Sequence, residues 1–129
     1  MTRPESEDRT VAVIGASQDR NKFGNKCVRA YSHAGWTVYP VNPHADQVEG
    51  LQAFPLLAAV PESVDRICIY VPPAVTRGLL EHLPHGTEIY FNPGSADAEV
   101  LRKARSGGLD VYDACAIVAI GLSPSQFPE

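Results

Sequence analysis

A glycine-containing segment near the start of the chain carries the first sign of chemistry. An apolar run at residues 10–14 is followed by Gly15 and a polar loop, and an amphipathic run then begins at Asn25. A strand that breaks at a glycine and continues as a helix leaves backbone N–H groups free at the start of the helix, where a phosphate group can bind. This segment therefore predicts a phosphate or nucleotide site.

The spacing of this segment differs from the dinucleotide-binding fingerprint. The fingerprint has a second glycine two residues after the first, where the backbone approaches a pyrophosphate, and a third glycine three residues later. Ser17 occupies the second position here, and the next glycine is Gly24. The second apolar run ends in Asn42 and Pro43 instead of the acidic residue that would bind a ribose hydroxyl group. The pattern therefore disfavours NAD.

The composition restricts the class of partner. The 129 residues are 44% hydrophobic, which suits one domain with a buried core, and they carry a formal net charge of −4. This negative charge argues against a general role at nucleic acids or membrane surfaces, because both are polyanionic. Basic residues nevertheless cluster in and after the first loop, at Arg20, Lys22 and Lys26. We expect one or more of them to contact a phosphate group.

Three cysteines bear on metal binding and on cellular compartment. Cys27, Cys68 and Cys115 lie far apart in the sequence, whereas metal knuckles need closely spaced ligands, so we expect no metal site. Reduced thiols are typical of the cytoplasm. The first nine residues lack the apolar segment of a signal peptide, and no later run approaches a membrane span. We therefore expect a soluble cytoplasmic protein.

Strand and helix signals alternate along the chain. We expect one domain at residues 10–122 between polar tails at 1–9 and 123–129, the second tail being held in part by Phe127. Predicted strands cover residues 10–14, 37–41, 52–54, 66–71, 88–91 and 109–112. Predicted helices cover 25–33, a short turn at 56–60, 74–83 and 96–106, with Ser95 as a cap and with Gly35 and Gly107 as left-handed residues after helices. The pattern predicts a Rossmann-like α/β fold, a three-layer sandwich with a mainly parallel sheet of five or six strands.

Ligands of such folds bind at the carboxyl edge of the sheet, where the winding reverses direction. If the first strand is central, the loop that begins at Gly15 should face the proline-rich turn after the fourth strand, Val71 to Pro73, across a cleft. Turns after the other strands bring further candidates to this edge. They are Asn42, Pro43 and His44, then Asn92, Pro93 and Gly94, and finally Asp113 and Cys115.

These segments, in this order, resemble the CoA-binding domain family, which also forms the start of the succinyl-CoA synthetase alpha subunit. The resemblance covers residues 11–120 and implies that the first loop binds CoA phosphates. It further implies that the segment after the second strand contacts the adenosine and phosphate end, and that the proline-rich turn packs on the nucleotide. The residues so assigned are Gly15, Ala16, Ser17, Phe23, Gly24, Asn42, Pro43, His44, Val71, Pro72 and Pro73, with Asp113 and Cys115 at the end of the family pattern. The positive charge of the first loop adds Arg20 and Lys22, and position at the same sheet edge adds Asn92, Pro93 and Gly94.

The favoured interpretation is a small protein that binds CoA or acyl-CoA and is not catalytic alone, because the second synthetase domain with its phosphohistidine chemistry does not follow. No catalytic residue is assigned. One alternative is an enzyme that uses Cys115 in redox or acyl-transfer chemistry, including a mixed disulfide with CoA, although burial as a small hydrophobic residue is the plainer role for this side chain. Another is a nucleotide-responsive module that docks to a partner protein. The apolar run 114–122 could cover a sheet edge or form a homodimer contact.

Overall fold

The computed structural model describes residues 9–129, so the predicted N-terminal tail lies, apart from Arg9, outside the described residues. The described chain alternates between strands and helices. Its strands are β1 (Thr10–Ile14), β2 (Thr37–Val41), β3 (Gln47–Val48), β4 (Leu51–Gln52), β5 (Arg66–Ile69), β6 (Glu88–Phe91) and β7 (Asp110–Tyr112). Its α-helices are α1 (Phe23–His33), α2 (Pro73–Leu79) and α3 (Ala98–Ser106), and short 3-10 turns cover Leu57–Ala59, Leu80–His82, Val118–Ile120 and Pro124–Gln126.

Five of the strands form one sheet in the order β2-β1-β5-β6-β7, with every neighbouring pair parallel. The chain moves from β1 to β2 in one direction and from β5 through β6 to β7 in the other. The winding therefore reverses between β1 and β5, and the predicted Rossmann-like α/β fold is confirmed.

Helices cover both faces of this sheet. Val11 and Val13 of β1 pack in one apolar cluster with Cys27 and Tyr31 of α1, whereas the alternate residue Ala12 packs in a second cluster with residues of α3. Side chains of a strand alternate between the two faces, so a sheet covered on both sides needs apolar residues at successive positions. This explains the continuous apolar run of β1. Within residues 9–129, no helix has the length and apolar character of a membrane span.

The prediction that residues 52–54 form a strand of the main sheet is wrong. β3 and β4 instead form a separate antiparallel hairpin, and only Phe54 reaches the sheet, through a single parallel bridge to Val41. The next residue, Pro55, has no backbone N–H, so it cannot donate to the sheet. The strand expected at 66–71 also ends early, at Ile69, which places Tyr70 and Val71 at the carboxyl edge.

Two predicted helix ends need correction. Asp97 caps α3, because its side chain accepts the N–H of Val100 at 2.9 Å. The expected cap, Ser95, is buried and donates its hydroxyl hydrogen to the carbonyl oxygen of Asn92 at 2.7 Å. Gly35 has a φ of 90°, as expected, but Gly107 has a φ of −79° and ends α3 in a helical conformation.

The left-handed residue after α3 is Gly108, with a φ of 82°. The left-handed position commonly lies one residue beyond the last helical one, and the sequence offered two adjacent glycines for it.

The apolar run 114–122 covers a face of the sheet. Ala116 and Ile117 are fully buried in the same cluster as α1, and the Tyr31 hydroxyl donates to the carbonyl oxygen of Ala116 at 2.6 Å. The last residues are tied to α1 as well, since the Arg29 guanidinium donates to the carbonyl oxygens of Phe127 at 2.9 Å and Pro128 at 2.6 Å. The carboxyl-terminal segment thus forms part of the layer that contains α1.

Candidate functional site

A cleft of about 530 Å³ opens at the carboxyl edge of the sheet, where the winding reverses. Its wall is built from the first loop and the start of α1, the turn after β5, the turn after β6 and the segment after β7. The lining residues are Gly15, Asn21, Lys22, Phe23, Gly24, Tyr70, Val71, Pro72, Asn92, Pro93, Gly94, Ser95 and Cys115.

Gly15 brings two sides of the cleft together. Its φ of 91° is in the left-handed region that favours glycine, and a Cβ atom there would lie 2.9 Å from the carbonyl carbon of Tyr70 and 3.1 Å from Cγ1 of Val71. Any side chain would therefore push the first loop away from the turn after β5. The two loops face each other, as the winding predicts.

Gly24 brings α1 equally close to β1. A Cβ atom on Gly24 would lie 2.1 Å from the carbonyl oxygen of Gly15, well inside any van der Waals contact. Close packing of helix on strand is the role of the third glycine in the dinucleotide fingerprint. Gly24 performs this role at a longer spacing, which the comparison with the fingerprint did not reveal.

The start of α1 presents hydrogen-bond donors to the cleft. Within residues 9–129, the backbone N–H groups of Phe23 and Gly24 have no acceptor, and both residues line the cleft. The N-cap residue, Lys22, has no side-chain capping bond. Free N–H groups and the helix dipole together favour an anion at this position.

The basic residues of the first loop have different positions. Lys22 lines the cleft and forms no ion pair with any residue from 9 to 129. Arg20 lies outside the lining and pairs with Glu49, with 3.4 Å between Nε and Oε2. Lys26 is half-buried and does not line the cleft. Lys22 is therefore the basic side chain placed to meet a bound phosphate group.

Several candidate residues lie outside the cleft lining: Ala16, Ser17, Arg20, Asn42, Pro43, His44, Pro73 and Asp113. The hydroxyl of Ser17 accepts the N–H of Asp19 at 3.0 Å and so stabilises the loop. β2 is an outer strand, separated from β5 by β1, so the turn after it lies away from the winding reversal.

Asn42 nevertheless acts on the site through the first loop. Its amide group donates to the carbonyl oxygen of Ala16 at 2.8 Å, and its side-chain oxygen accepts the N–H of His44 at 2.7 Å. These bonds connect the turn after β2 to the residue that follows Gly15. Asn42 is thus a positioning residue in this structure.

Three residues of the lining were not predicted as binding residues, namely Asn21, Tyr70 and Ser95, although the last two were expected at this edge of the sheet. Tyr70 was placed at the carboxyl end of the fourth predicted strand, which in fact ends at Ile69, but it was not counted among the binding residues. Ser95 was assigned to a helix cap. The signal that could have identified Tyr70 is its position directly before the proline-rich turn, since Pro72 cannot continue the hydrogen bonding of a strand.

The three cysteines converge beneath the cleft. Cys27 and Cys68 are fully buried, whereas Cys115 is half-buried and lines the cleft. Burial, together with the neighbouring thiol of Cys68, raises the pKa of Cys27 well above its ordinary value. Within residues 9–129, no group of three His, Cys, Asp or Glu side chains is arranged to hold a metal ion.

Tyr70 lies among these thiols. Burial, and then the nearby Cys27 and Cys68, raise the pKa of Tyr70 far above its ordinary value, with a further contribution from Cys115. Its hydroxyl is buried and has no hydrogen-bond partner of good geometry among the described residues. Thiols are weak hydrogen-bonding groups, so they satisfy this hydroxyl poorly. The floor of the cleft therefore contains a neutral phenol with unused hydrogen-bonding capacity.

Asn92 fixes the segment that carries Cys115. Its buried amide group donates to the carbonyl oxygen of Ile69 at 3.2 Å, and its side-chain oxygen accepts the N–H of Ala116 at 2.8 Å. The end of β5 is thereby joined to the residue next to Cys115. Asn92 lines the cleft, as predicted, but these polar atoms hold the fold together.

Comparisons with known proteins give relatives that are named as CoA ligases and CoA synthases. The ADP-forming acetate–CoA ligase I of Archaeoglobus fulgidus is 39% identical over 64 residues, which are 50% of this chain and 9% of the ligase. A trans-feruloyl-CoA synthase of an unknown prokaryotic organism is 30% identical over 105 residues, 76% of this chain and 14% of the synthase. The chain thus spans a small part of the length of these relatives.

Solved structures share the fold over most of this chain. A conserved hypothetical protein from Pyrococcus furiosus has a TM-score of 0.77 and 30% identity, with 86% of this chain and 98% of that chain covered. The dinucleotide-forming acetyl-coenzyme A synthetase 1 of Candidatus Korarchaeum cryptofilum, in complex with phosphate and ADP, has a TM-score of 0.70 and 29% identity over 84% of this chain and 26% of that chain. The family model described as "CoA binding domain" matches residues 9–121. The chain therefore belongs to the CoA-binding domain family.

Proposed function

We propose that this protein binds CoA or an acyl-CoA at the cleft, with the phosphate groups at the start of α1. The observation that carries the proposal is the pair of N–H groups at Phe23 and Gly24, which bond to no residue from 9 to 129, beside the Lys22 ammonium group, which pairs with no carboxylate in that same range. Two backbone donors and a nearby cation form a suitable site for a pyrophosphate. Membership of the CoA-binding domain family supports CoA as the nucleotide.

Apolar side chains around these donors suit the rest of the nucleotide. Phe23 is 57% exposed at the start of α1, and Val71 and Pro72 form the wall opposite Gly15. An adenine ring gains binding free energy by packing between such surfaces, whereas the phosphate groups keep their polar contacts. We assign the adenine to this wall.

The second part of the proposal concerns the role and the location of the domain. It is confined to binding, because the 64 and 105 residues matched are 9% of the ligase and 14% of the synthase. The free thiols suit a reducing compartment, so we place the protein in the cytoplasm. In this proposal the protein holds the cofactor for a partner, and no bond of CoA changes in the binding step itself.

Calorimetric titration of the reduced protein with CoA tests the proposal, with NAD and ATP as comparators. We expect saturable CoA binding, and we expect Lys22→Ala to weaken it about tenfold, which corresponds to ~1.4 kcal/mol, because a charge-assisted contact with phosphate is lost. The matched control is Lys26→Ala, which removes an ammonium group from the first turn of α1, four residues after Lys22 but outside the cleft lining.

Fragments of the ligand test its orientation. ADP should compete with CoA, whereas pantetheine, which lacks the phosphate groups, should compete poorly. Absence of binding heat and of thermal stabilisation with CoA would contradict the proposal. Equal losses in Lys22→Ala and Lys26→Ala would show that only general positive charge matters, which contradicts the assigned phosphate position.

A further inference from the structure

We propose that Cys115 is a thiol–disulfide exchange site that takes CoA disulfide as its substrate and forms a mixed disulfide between protein and CoA. This inference rests on the proposed function, because CoA must occupy the cleft for its sulfur to be delivered to Cys115. It adds a covalent step to a site otherwise assigned to reversible binding.

The first support is the position of Cys115 in the cleft. Its side chain is half-buried and shares the lining with Lys22 and with the start of α1. The peptide group that follows Cys115 is held at both of its polar atoms, since the carbonyl oxygen of Cys115 accepts the N–H of Ala119 at 3.1 Å and the N–H of Ala116 donates to Asn92 at 2.8 Å. A nucleophile on a fixed backbone meets a bound reactant without further ordering.

The second support is the contrast between Cys115 and the other two thiols. Cys27 and Cys68 are fully buried beneath the cleft. Their burial separates them from any reagent in solution, and burial also keeps the Cys27 thiol protonated. Among the three cysteines, Cys115 alone lines the cleft, and this restricts exchange to one position.

The third support is the hydroxyl of Tyr70. It lies close enough to Cys115 for the two groups to interact electrostatically, and it has no good hydrogen-bond partner within residues 9–129. Tyr70 and Cys115 both line the cleft, so the negative charge of a thiolate at Cys115 would form within electrostatic range of a hydroxyl dipole that no other group satisfies well among residues 9–129.

The proposed step is balanced. The Cys115 thiol loses its proton to solvent, and the thiolate attacks one sulfur of CoA disulfide. The sulfur–sulfur bond of CoA disulfide breaks while a new bond forms between Sγ of Cys115 and that sulfur, and the second CoA leaves as a thiolate that takes up a proton. Cys115 is oxidised, the released CoA is reduced, and no other oxidant is required.

The test mixes the reduced, desalted protein with CoA disulfide and follows its intact mass over time. Oxidised glutathione is the comparator, since it has the same reactive bond but no nucleotide. We expect exchange with CoA disulfide to be at least about tenfold faster, because binding places the disulfide beside the thiol. The adduct should map to Cys115 after digestion, and both Cys115→Ser and Cys115→Ala should abolish it.

Lys22→Ala connects the exchange to the cleft. This variant should slow exchange with CoA disulfide at least about fivefold more than exchange with oxidised glutathione, since only the first reactant has phosphate groups. Equal rates for the two disulfides would overturn the proposal, as would an adduct on Cys27 or Cys68 or no adduct at all. In each of these cases, saturable CoA binding in the calorimeter would leave the proposed function intact. Selective exchange without measurable binding of reduced CoA would instead contradict the proposed function and retain the thiol site.

Discussion

Gly24 lies against Gly15 so closely that a Cβ atom on Gly24 would be 2.1 Å from the Gly15 carbonyl oxygen. The two glycines come from different elements, the loop after β1 and the first turn of α1. Gly15 is in turn pressed against Tyr70 and Val71. The first loop, the start of α1 and the turn after β5 therefore meet through backbone contacts. The width of the cleft depends on Gly15 and Gly24 having no side chain.

Gly24→Ala should lower the free energy of unfolding by about 1–3 kcal/mol, because the added methyl group overlaps a backbone oxygen that cannot move independently. Urea denaturation followed by circular dichroism measures the effect. The control is Gly78→Ala in α2, where an added Cβ atom meets nothing within 4 Å. That substitution should stabilise the protein by about 0.5–1 kcal/mol, because alanine loses less backbone entropy in a helix. Equal stability of the two variants would rule out the close contact at Gly24.

Tyr31→Phe and Tyr70→Phe remove hydroxyl groups from the same apolar cluster and should have different effects. The Tyr31 hydroxyl donates to the Ala116 carbonyl oxygen at 2.6 Å and accepts from Nη1 of Arg66 at 3.2 Å. Its loss leaves both partners unsatisfied and should cost about 1–3 kcal/mol. The Tyr70 hydroxyl has no good partner, so its removal should leave stability unchanged or raise it by up to ~1 kcal/mol. Chemical denaturation of both variants measures the two changes in the free energy of unfolding. A larger loss of stability for Tyr70→Phe than for Tyr31→Phe would contradict these hydrogen-bond assignments.

Stability should decrease above about pH 9, because the folded protein keeps protons that the unfolded chain releases. Burial, followed by neighbouring thiols, raises the pKa values of Cys27 and Tyr70 in the folded state. In the unfolded chain these groups ionise near their ordinary values of about 8.5 and 10. Stability is thus fully present below those values and is lost as the pH rises above them, by about 1.4 kcal/mol per pH unit for each group.

Urea titrations from pH 8 to about pH 11 measure this loss. Tyr70→Phe provides the internal comparison, since it removes one group whose pKa is raised. Above about pH 10, the free energy of unfolding of this variant should fall less steeply with pH. The difference in slope should correspond to one proton, which is about 1.4 kcal/mol per pH unit. An unchanged slope would show that Tyr70 does not titrate differently in the folded and unfolded states.

Alkylation should distinguish the three cysteines. Iodoacetamide should modify Cys115 in the native protein, because this side chain is half-buried and lines the cleft. Cys27 and Cys68 are fully buried and should react only after unfolding in urea. Peptide mass mapping identifies which cysteines are alkylated in the native protein and which only in urea. Native modification of Cys27 would show that the floor of the cleft opens to solvent.

The sheet could be predicted from the sequence because the signals for strands and helices lie within short segments of the chain. Apolar runs separated by helices are sufficient to predict a parallel sheet, and the connection rules then place β1 beside β5. From this arrangement the meeting of Gly15 with Val71 follows directly. The prediction that these two loops share a cleft needed no knowledge of side-chain directions.

The rest of the site depends on tertiary packing. The role of Gly24 depends on the length of the loop before α1, which brings a glycine back to Gly15 after nine residues. Asn42 turns its amide group toward Ala16, a contact between adjacent strands that periodicity does not reveal. The convergence of Cys27, Cys68 and Cys115 requires a helix, a strand and a loop to share one face of the sheet. No pattern within one of those segments encodes it.

Asn92 has a mechanical consequence for the cleft. Its amide joins the carbonyl oxygen of Ile69 to the N–H of Ala116, so the end of β5 and the segment after β7 are connected through one buried side chain. An aspartate would lack the donor, and a leucine would lack both bonds. Asn92 therefore opposes separation of these two segments at the bottom of the cleft. Lys22 and Phe23 lie exposed at its rim, so we expect adjustment to ligands of different size to fall to these two side chains.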